Sequence, residues 1–278
     1  MPGAPPSLLP YLRRWSLAVD GQPVETPAAC LAPVSWRGQR AMLKVSASAE
    51  EARGYDLLEW WGGQGAARVL ARAGPAILME RADGPRSLAQ WSRAGRDDEA
   101  CRALCAVIAR LHAVGEARAA QADAPPGLAP LDTWFAALQA AAPARREEGV
   151  LQAARQAMRA LLAQPREVRC LHGDIHHGNV LDFGERGWLA IDPKGLLGER
   201  AFDYANLFCN PDREVACDAG RFAARVALVA QEAGLERQRL LQWILAWAGL
   251  SAVWHLEDGT CAHIALQVAR MAAAALRP

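Results

Sequence analysis

The segment from Leu171 to Pro193 makes the tightest demand on the fold. It reads Leu171-His172-Gly173-Asp174-Ile175-His176-His177-Gly178-Asn179-Val180-Leu181 and, after a turn, Leu189-Ala190-Ile191-Asp192-Pro193. A glycine- and histidine-bearing loop thus opens straight into two short apolar strands. The spacing predicts strands at Val180–Phe183 and Trp188–Ile191 with a turn at Gly184–Gly187. A hairpin of that length returns Asp192 to the side of Asn179, with Asp174 in the loop just before it. One carboxylate that can take a hydroxyl proton, beside an amide oxygen and a second carboxylate, suits phosphoryl transfer. Asp174 would orient the acceptor, while Asn179 and Asp192 would hold magnesium on the phosphates. Asp182-Phe183-Gly184 spells a second candidate metal triplet. At ~3.3 Å per residue Asp182 lies roughly 10 Å along the outgoing strand from Asn179, so Asp192 is the preferred ligand.

The rest of the chain supplies a frame for this block. Residues 1–25 are proline-rich and poorly periodic. Cys30–Val34 and Arg40–Val45 read as strands joined by a turn at Trp36–Gln39, with Lys44 near the end of the second. A helix is expected over Ala49–Trp61, stopped by Gly62-Gly63. Strands follow at Ala67–Ala71 and Ala76–Glu80, and Asp83-Gly84-Pro85 reads as a hinge. Beyond it, helices are expected at Asp97–Val114, Asp132–Ala142, Arg145–Gln164, Ala201–Phe208, Gly220–Ala233, Gln238–His255 and Cys261–Leu276. A further strand is expected at Val168–Leu171, and Ala124–Pro130 reads as a proline-rich loop.

Composition narrows the partners. A formal net charge of +1 on 278 residues gives no footing for nucleic acid. No apolar run reaches the length of a membrane span and no signal peptide is expected. Seven cysteines without CxxC pairs read as reduced thiols, hence a cytoplasmic chain. Of 31 basic residues only Lys44 and Lys194 are lysines. Lysine is a compact point charge where arginine is a planar fork, so two lysines kept in an arginine-biased chain invite a role.

The motifs His172-Gly173-Asp174, Asn179 and Ile191-Asp192-Pro193 resemble those of the aminoglycoside phosphotransferase and choline kinase superfamily. Trp60–Leu70, Trp188–Lys194 and Ala201-Phe202-Asp203-Tyr204-Ala205-Asn206 are similar to the streptomycin 6-kinase branch, also known as aminoglycoside/hydroxyurea antibiotic resistance kinases. The resemblance implies an α+β, protein-kinase-like two-lobed fold. Residues 1–81 would form a small N-terminal nucleotide-binding lobe, a β-sheet with one helix. Residues 82–278 would form a larger, mainly helical, catalytic and substrate-binding lobe. It implies ATP and Mg2+ as cofactors, a small-molecule acceptor and a monomer. By resemblance, Lys44 holds the α- and β-phosphates and Glu51 is its ion-pair partner, with Glu50 and Glu59 as rivals. Glu80, Arg81 and Ala82 fall where the interlobe linker meets adenine. His172 would brace the catalytic loop, and Lys194 would touch phosphate or a catalytic carboxylate. The phosphate-covering turn should lie near Thr26–Ala29, yet it has no glycine, and Pro27 stiffens it.

Several residues keep two readings. Asp203 is either a substrate ligand or a buried carboxylate that anchors the catalytic loop, and anchoring is preferred. Glu257 and Asp258 would meet guanidinium groups of a polycationic acceptor, or else form a solvated loop. His176 and His177 are expected to shape their loop, since adjacent histidines rarely share one metal ion. Trp243, Trp247 and Trp254, at helical intervals, are expected in the core. The acceptor implied by the resemblance is streptomycin, phosphorylated at its 6-hydroxyl. A small metabolic alcohol on the same machinery, or a nucleotide-binding pseudokinase, are the alternatives.

Overall fold

The computed structural model describes residues 5–121, 127–142 and 147–277. The expected loop at Ala124–Pro130 and the start of the helix expected from Arg145 fall partly outside them. The N-terminal part is an antiparallel sheet. Helix α1 (Leu9–Arg14) precedes β1 (Ala18–Val19), β2 (Val24–Glu25), β3 (Cys30–Trp36) and β4 (Gln39–Val45). Helix α2 (Ala49–Trp61) leads to β5 (Val69–Ala73) and β6 (Ala76–Glu80). The spatial order is β1-β3-β4-β6-β5, with β2 also on β3. Lys44 therefore lies on a central strand, between Leu31 of β3 and Ile77 of β6.

Local chemistry explains α2. Ser48 caps its start by accepting from the Glu50 amide at 3.2 Å. Gly62 ends it at φ 60, a left-handed cap that glycine adopts without a Cβ clash. The proline-rich start is more ordered than its sequence suggests: Leu8, Leu12 and Leu17 pack with Ala32, Val34 and Leu43 on the outer face of the sheet. The strand expected at Ala67–Ala71 is displaced to Val69–Ala73. Gly65–Ala67 pair instead with the distant hairpin, through Ala67 N to Ala190 O (2.9 Å) and Ala190 N to Gly65 O (3.0 Å).

After the sheet the chain is mainly helical. The elements are α3 (Leu88–Arg93), α4 (Asp97–Ala119), β7 (Ala129–Pro130), α5 (Leu131–Trp134), α6 (Ala136–Ala140) and α7 (Glu148–Ala163). Strands β8 (Val168–Leu171), β9 (Val180–Asp182), β10 (Trp188–Ala190) and β11 (Leu196–Glu199) follow. The chain ends in α8 (Arg213–Ala216), α9 (Ala219–Ala233), α10 (Arg237–Glu257) and α11 (His263–Ala275). The helix expected at Asp132–Ala142 breaks at Phe135 into α5 and α6. The one expected at Ala201–Phe208 is two 3-10 turns, Arg200–Tyr204 and Asn206–Cys209. These tighter turns aim Asp203 and Asn206 at the loop before β9, which the spacing of a continuous α-helix did not anticipate.

Helix α10 is apolar on nearly every face because it lies inside the helical part, against α6, α7, α9 and α11. The main core does not stop at the lobe boundary. It joins Tyr55, Leu58 and Trp61 of α2 and Ile77 of β6 to Leu104, Ile108, Phe202 and Trp243. All seven cysteines are free, and Cys101 and Cys105 are buried in this core. No helix among the described residues is long and apolar enough to cross a membrane.

Candidate active site

The hairpin closes as its spacing requires. Ala190 pairs with Val180, and Ile191 N donates to Asn179 O at 2.9 Å, which sets Asp192 beside Asn179. Asp192 has φ 61, a left-handed conformation that aspartate tolerates better than most residues. Asp174 is held at both carboxylate oxygens. Asn179 Nδ2 donates to its Oδ2 at 3.0 Å and Asn206 Nδ2 to its Oδ1 at 2.7 Å. Burial pushes the Asp174 carboxyl up to about 7; the nearby Lys194 ammonium opposes this, and the Asp192 charge adds to it.

Both lysines converge on Asp192. Lys44 contacts Asp192 and Glu51 directly. Lys194 lies 3.3 Å from Glu51, 3.5 Å from Glu50 and 3.7 Å from Asp192. Glu51 is thus the partner of Lys44, while Glu59 pairs with Arg72. Burial works against the charged form of Lys194, but the carboxylates of Asp192, Glu51, Asp174 and Glu50 outweigh it and raise its pKa. Burial likewise works against ionised Asp192, and Lys44 and Lys194 overcome it to lower that pKa. Gly54 completes the packing: a Cβ there would collide with the Pro193 carbonyl, so α2 rests directly on the end of the hairpin.

Asp203 braces the loop from below. It accepts from His172 N (3.0 Å), Gly173 N (2.8 Å) and His112 Nε2 (2.9 Å) and is 2% exposed. It lines neither of the two cavities described below, so the substrate reading of Asp203 is dropped and the preferred anchoring one is kept. His172 takes the Asp174 amide on Nδ1 (3.2 Å) and meets Ile191 O through Nε2 (2.9 Å). Nδ1 is then the acceptor and Nε2 carries the proton. Burial lowers the His172 pKa to about 4, so the ring stays neutral while it ties the loop to the hairpin. His176 Nδ1 accepts from Gly178 N at 3.0 Å, the loop-shaping role expected of it.

Asp182 is engaged elsewhere. Its carboxylate accepts from Arg86 Nη2 (2.6 Å), Arg86 Nε (2.8 Å), Arg86 N (3.1 Å) and Gly184 N (3.1 Å). Its own carbonyl takes the Gly84 amide at 2.9 Å. The residue ties the hinge segment to the hairpin.

Two cavities meet at this cluster. One, of about 310 Å³, lies between sheet and hairpin and is walled by Leu31, Met42, Met79, Leu181 and Ile191, with Lys44 and Asp192 at its polar end. Thr26, Ala28 and Ala29 also line it. Their glycine-free turn is closed by the Thr26 hydroxyl, which accepts from Ala29 N at 3.0 Å. Glu80 lines this cleft, its carboxylate bound to Arg186 and to Arg68 N. Arg81 instead pairs with Asp20 and Asp83, and neither Arg81 nor Ala82 forms part of the wall. The second cavity, about 550 Å³, holds Asp174, His176 and Asn206 at one end and Trp134, Trp247 and Trp254 along its side. Lys194 is common to both walls. Glu257 and Asp258 are exposed at the end of α10 and do not face this cavity, a correction to their expected place. His255 and Cys261 border it instead, because the helix end carries the two carboxylates outward.

The description "Aminoglycoside/hydroxyurea antibiotic resistance kinase" belongs to the family whose sequence model matches residues 14–259. The chain belongs to this family. The kinase is 52% identical to a streptomycin 3''-kinase from Klebsiella pneumoniae, over 89% of this chain and 92% of that protein. It is 33% identical to a streptomycin 6-kinase from Streptomyces griseus, over 96% and 88% of the two chains. It is also 33% identical to a hydroxyurea phosphotransferase from Kitasatospora aureofaciens, over 94% and 75%. In fold it is similar to aminoglycoside phosphotransferase APH(4)-Ia in a ternary complex with ADP and hygromycin B. There the TM-score is 0.65, with 14% identity and 96% of each chain covered. Amicoumacin kinase hAmiN, solved with AMP-PNP and Ca2+, gives a TM-score of 0.65 at 16% identity, covering 97% of this chain and 92% of that one. The fold of the kinase is therefore the expected two-lobed one, a small β-sheet lobe and a larger helical lobe, but the sheet lobe carries two helices, α1 and α2, where one was expected.

The donor set fits a hard divalent ion. Asn179 spends its amide nitrogen on Asp174, which leaves its Oδ1 for a cation, and Asp192 offers carboxylate oxygens. Among the described residues no cluster of three or more His, Cys, Asp or Glu side chains could hold a metal by itself. Two protein oxygens are what magnesium on a polyphosphate needs, since phosphate and water complete its shell. Sequence reasoning missed Asn206 and the tryptophan wall of the kinase. Trp247 and Trp254 lie seven residues apart on α10, a spacing that serves a core face and a cavity wall equally.

Proposed function

We propose that this kinase is an ATP- and magnesium-dependent O-phosphotransferase that inactivates streptomycin. The observation that carries the reading is the placement of Asp174. Its carboxylate is held by two amides at the mouth of the larger cavity, and Lys194 is shared with the smaller one. ATP would occupy the smaller cleft, with its base against Met42, Met79 and Leu31 and near Glu80. Lys44, fixed by Glu51, would bind the α- and β-phosphates. Asn179 and Asp192 would hold magnesium, which would supply charge neutralisation to the phosphates. Asp174 would orient the acceptor hydroxyl and take its proton. Lys194 would meet the transferring phosphoryl as it passes between the cavities. The aromatic wall and the Glu50 carboxylate suit a guanidinium-bearing acceptor.

The 3''-hydroxyl is the preferred site, supported by the 52% identity to a streptomycin 3''-kinase against 33% for a 6-kinase. The 6-hydroxyl is the second reading, favoured by the Streptomyces relatives. We read the kinase as a cytoplasmic monomer with its lobes divided after residue 81. Incubation with ATP, Mg2+ and streptomycin, followed by two-dimensional phosphorus–proton NMR of the product, locates the phosphate. Phosphate on neither hydroxyl, with turnover of a small amino alcohol or sugar instead, would overturn the acceptor. Nucleotide binding without turnover of any acceptor would overturn the enzyme reading.

A further inference from the structure

We infer that Trp247 and Asn206 form a clamp that sets the orientation of Asp174 from the wall of the acceptor cavity. Asn206 Nδ2 donates to Asp174 Oδ1 at 2.7 Å, and Trp247 Nε1 donates to Asn206 Oδ1 at 2.9 Å. An indole N–H can only donate, so the atom that Trp247 meets must be the amide oxygen. That leaves the amide nitrogen facing Asp174. Asn210 Nδ2 reinforces the choice by donating to the same oxygen at 3.2 Å. A lone amide beside a carboxylate could turn either way; this one is locked with its donor toward the carboxylate. Trp247 is 5% exposed and Asn206 9%, so both bonds are largely shielded from water.

The clamp rests on Asp174 as the base proposed above, and it adds a positioning role for two residues that carry no chemistry themselves. With Asn179 on Oδ2 and Asn206 on Oδ1, the plane of the carboxylate is fixed, and its remaining lone pairs face the cavity. Trp247 also packs edge-on against Trp254 of the same wall, with centroids 5.8 Å apart, so a contact made with the acceptor is transmitted to Asn206 through one side chain.

Trp243 offers an internal control. It lies one turn earlier on α10 and donates its indole N–H to another buried carboxylate, Glu199, at 2.9 Å, away from Asp174. Trp247→Phe is expected to lower kcat about tenfold with the KM for ATP within about twofold, whereas Trp243→Phe costs stability and leaves kcat within about twofold. Asn206→Ala should lower kcat at least as far as Trp247→Phe does. The double variant should fall no further than Asn206→Ala alone, because Trp247 acts through Asn206. Multiplicative losses in the double variant would overturn the clamp, as would a kcat for Trp247→Phe equal to that of Trp243→Phe. A second readout needs no acceptor: the Asn206 side-chain amide protons, resolved by 15N NMR, should shift in Asp174→Asn and in Trp247→Phe but not in Trp243→Phe. If streptomycin is not turned over, the acceptor reading fails, while this amide signature still decides the clamp. An unmoved signal in Trp247→Phe overturns it.

Discussion

Replacing Asp182 by asparagine separates a structural carboxylate from a metal-binding one. Hydrogen bonds from the Arg86 guanidinium hold the Asp182 carboxyl at about 2, against an ordinary 3.8. Each tenfold difference in proton affinity is worth about 1.4 kcal/mol, so the ionised form contributes roughly 2.5 kcal/mol at neutral pH. The Asp182 side chain is 1% exposed but that of Arg86 is 42% exposed, and solvent screening there brings the expectation to about 1.5–2 kcal/mol. The folded-state pKa is depressed, so this stability is present above pH ~4 and is lost as pH falls toward ~2. Urea unfolding of both proteins at pH 7, 5, 4 and 3 should show the gap at full size down to about pH 5 and roughly halved by pH 3. Half-saturating Mg2+ should stay within about twofold. A gap that is absent at neutral pH, or that does not narrow in acid, would refute the ion-pair reasoning. A tenfold or larger change in the Mg2+ requirement would mean that Asp182, not Asp192, serves the metal.

Asp174→Asn should reduce phosphoryl transfer by at least about 10³-fold while the dissociation constant for ATP, measured by calorimetry, changes less than about twofold; residual turnover above one tenth of normal would remove Asp174 as the base. Asp203→Ala leaves three buried donors without an acceptor and should cost about 3–5 kcal/mol, read as a fall in Tm of roughly 10 °C, and a drop below about 3 °C would contradict the anchoring role. Gly54→Ala should push α2 from Pro193, costing about 1–3 kcal/mol and raising the KM for ATP because Glu51 moves with the helix; unchanged values of both would show that the contact yields freely.

Much of the site was legible because its geometry is local. Asn179 and Asp192 are joined by a short hairpin whose register follows from strand length, and Asp174 sits in the loop that feeds it. The same arithmetic set Asp182 aside, and its burial against Arg86 gives the reason in structural terms. The pairing of Lys44 with Glu51 came through resemblance, and the close contact agrees with it. What could not be read was long-range. Asn206 meets Asp174 across 32 residues and Trp247 meets Asn206 across 41, through two 3-10 turns that a helical pattern conceals. Glu257 and Asp258 were misplaced for a related reason: helical spacing gives the face a residue occupies, but not where the helix ends relative to a cavity.

The continuity of the main core across the lobe boundary bears on inheritance and engineering. Tyr55, Leu58, Trp61 and Ile77 are buried by partners that belong to the helical part, so the sheet owns only its outer cluster around Leu8, Leu12 and Leu17. Such a sheet is not a transplantable cassette. A fragment ending at Arg81 would bare large aromatic and aliphatic side chains to water, and it should stay unfolded by circular dichroism. Exchange of acceptor preference between relatives is therefore expected through substitutions along the cavity wall, such as those on α10, rather than by shuffling whole lobes.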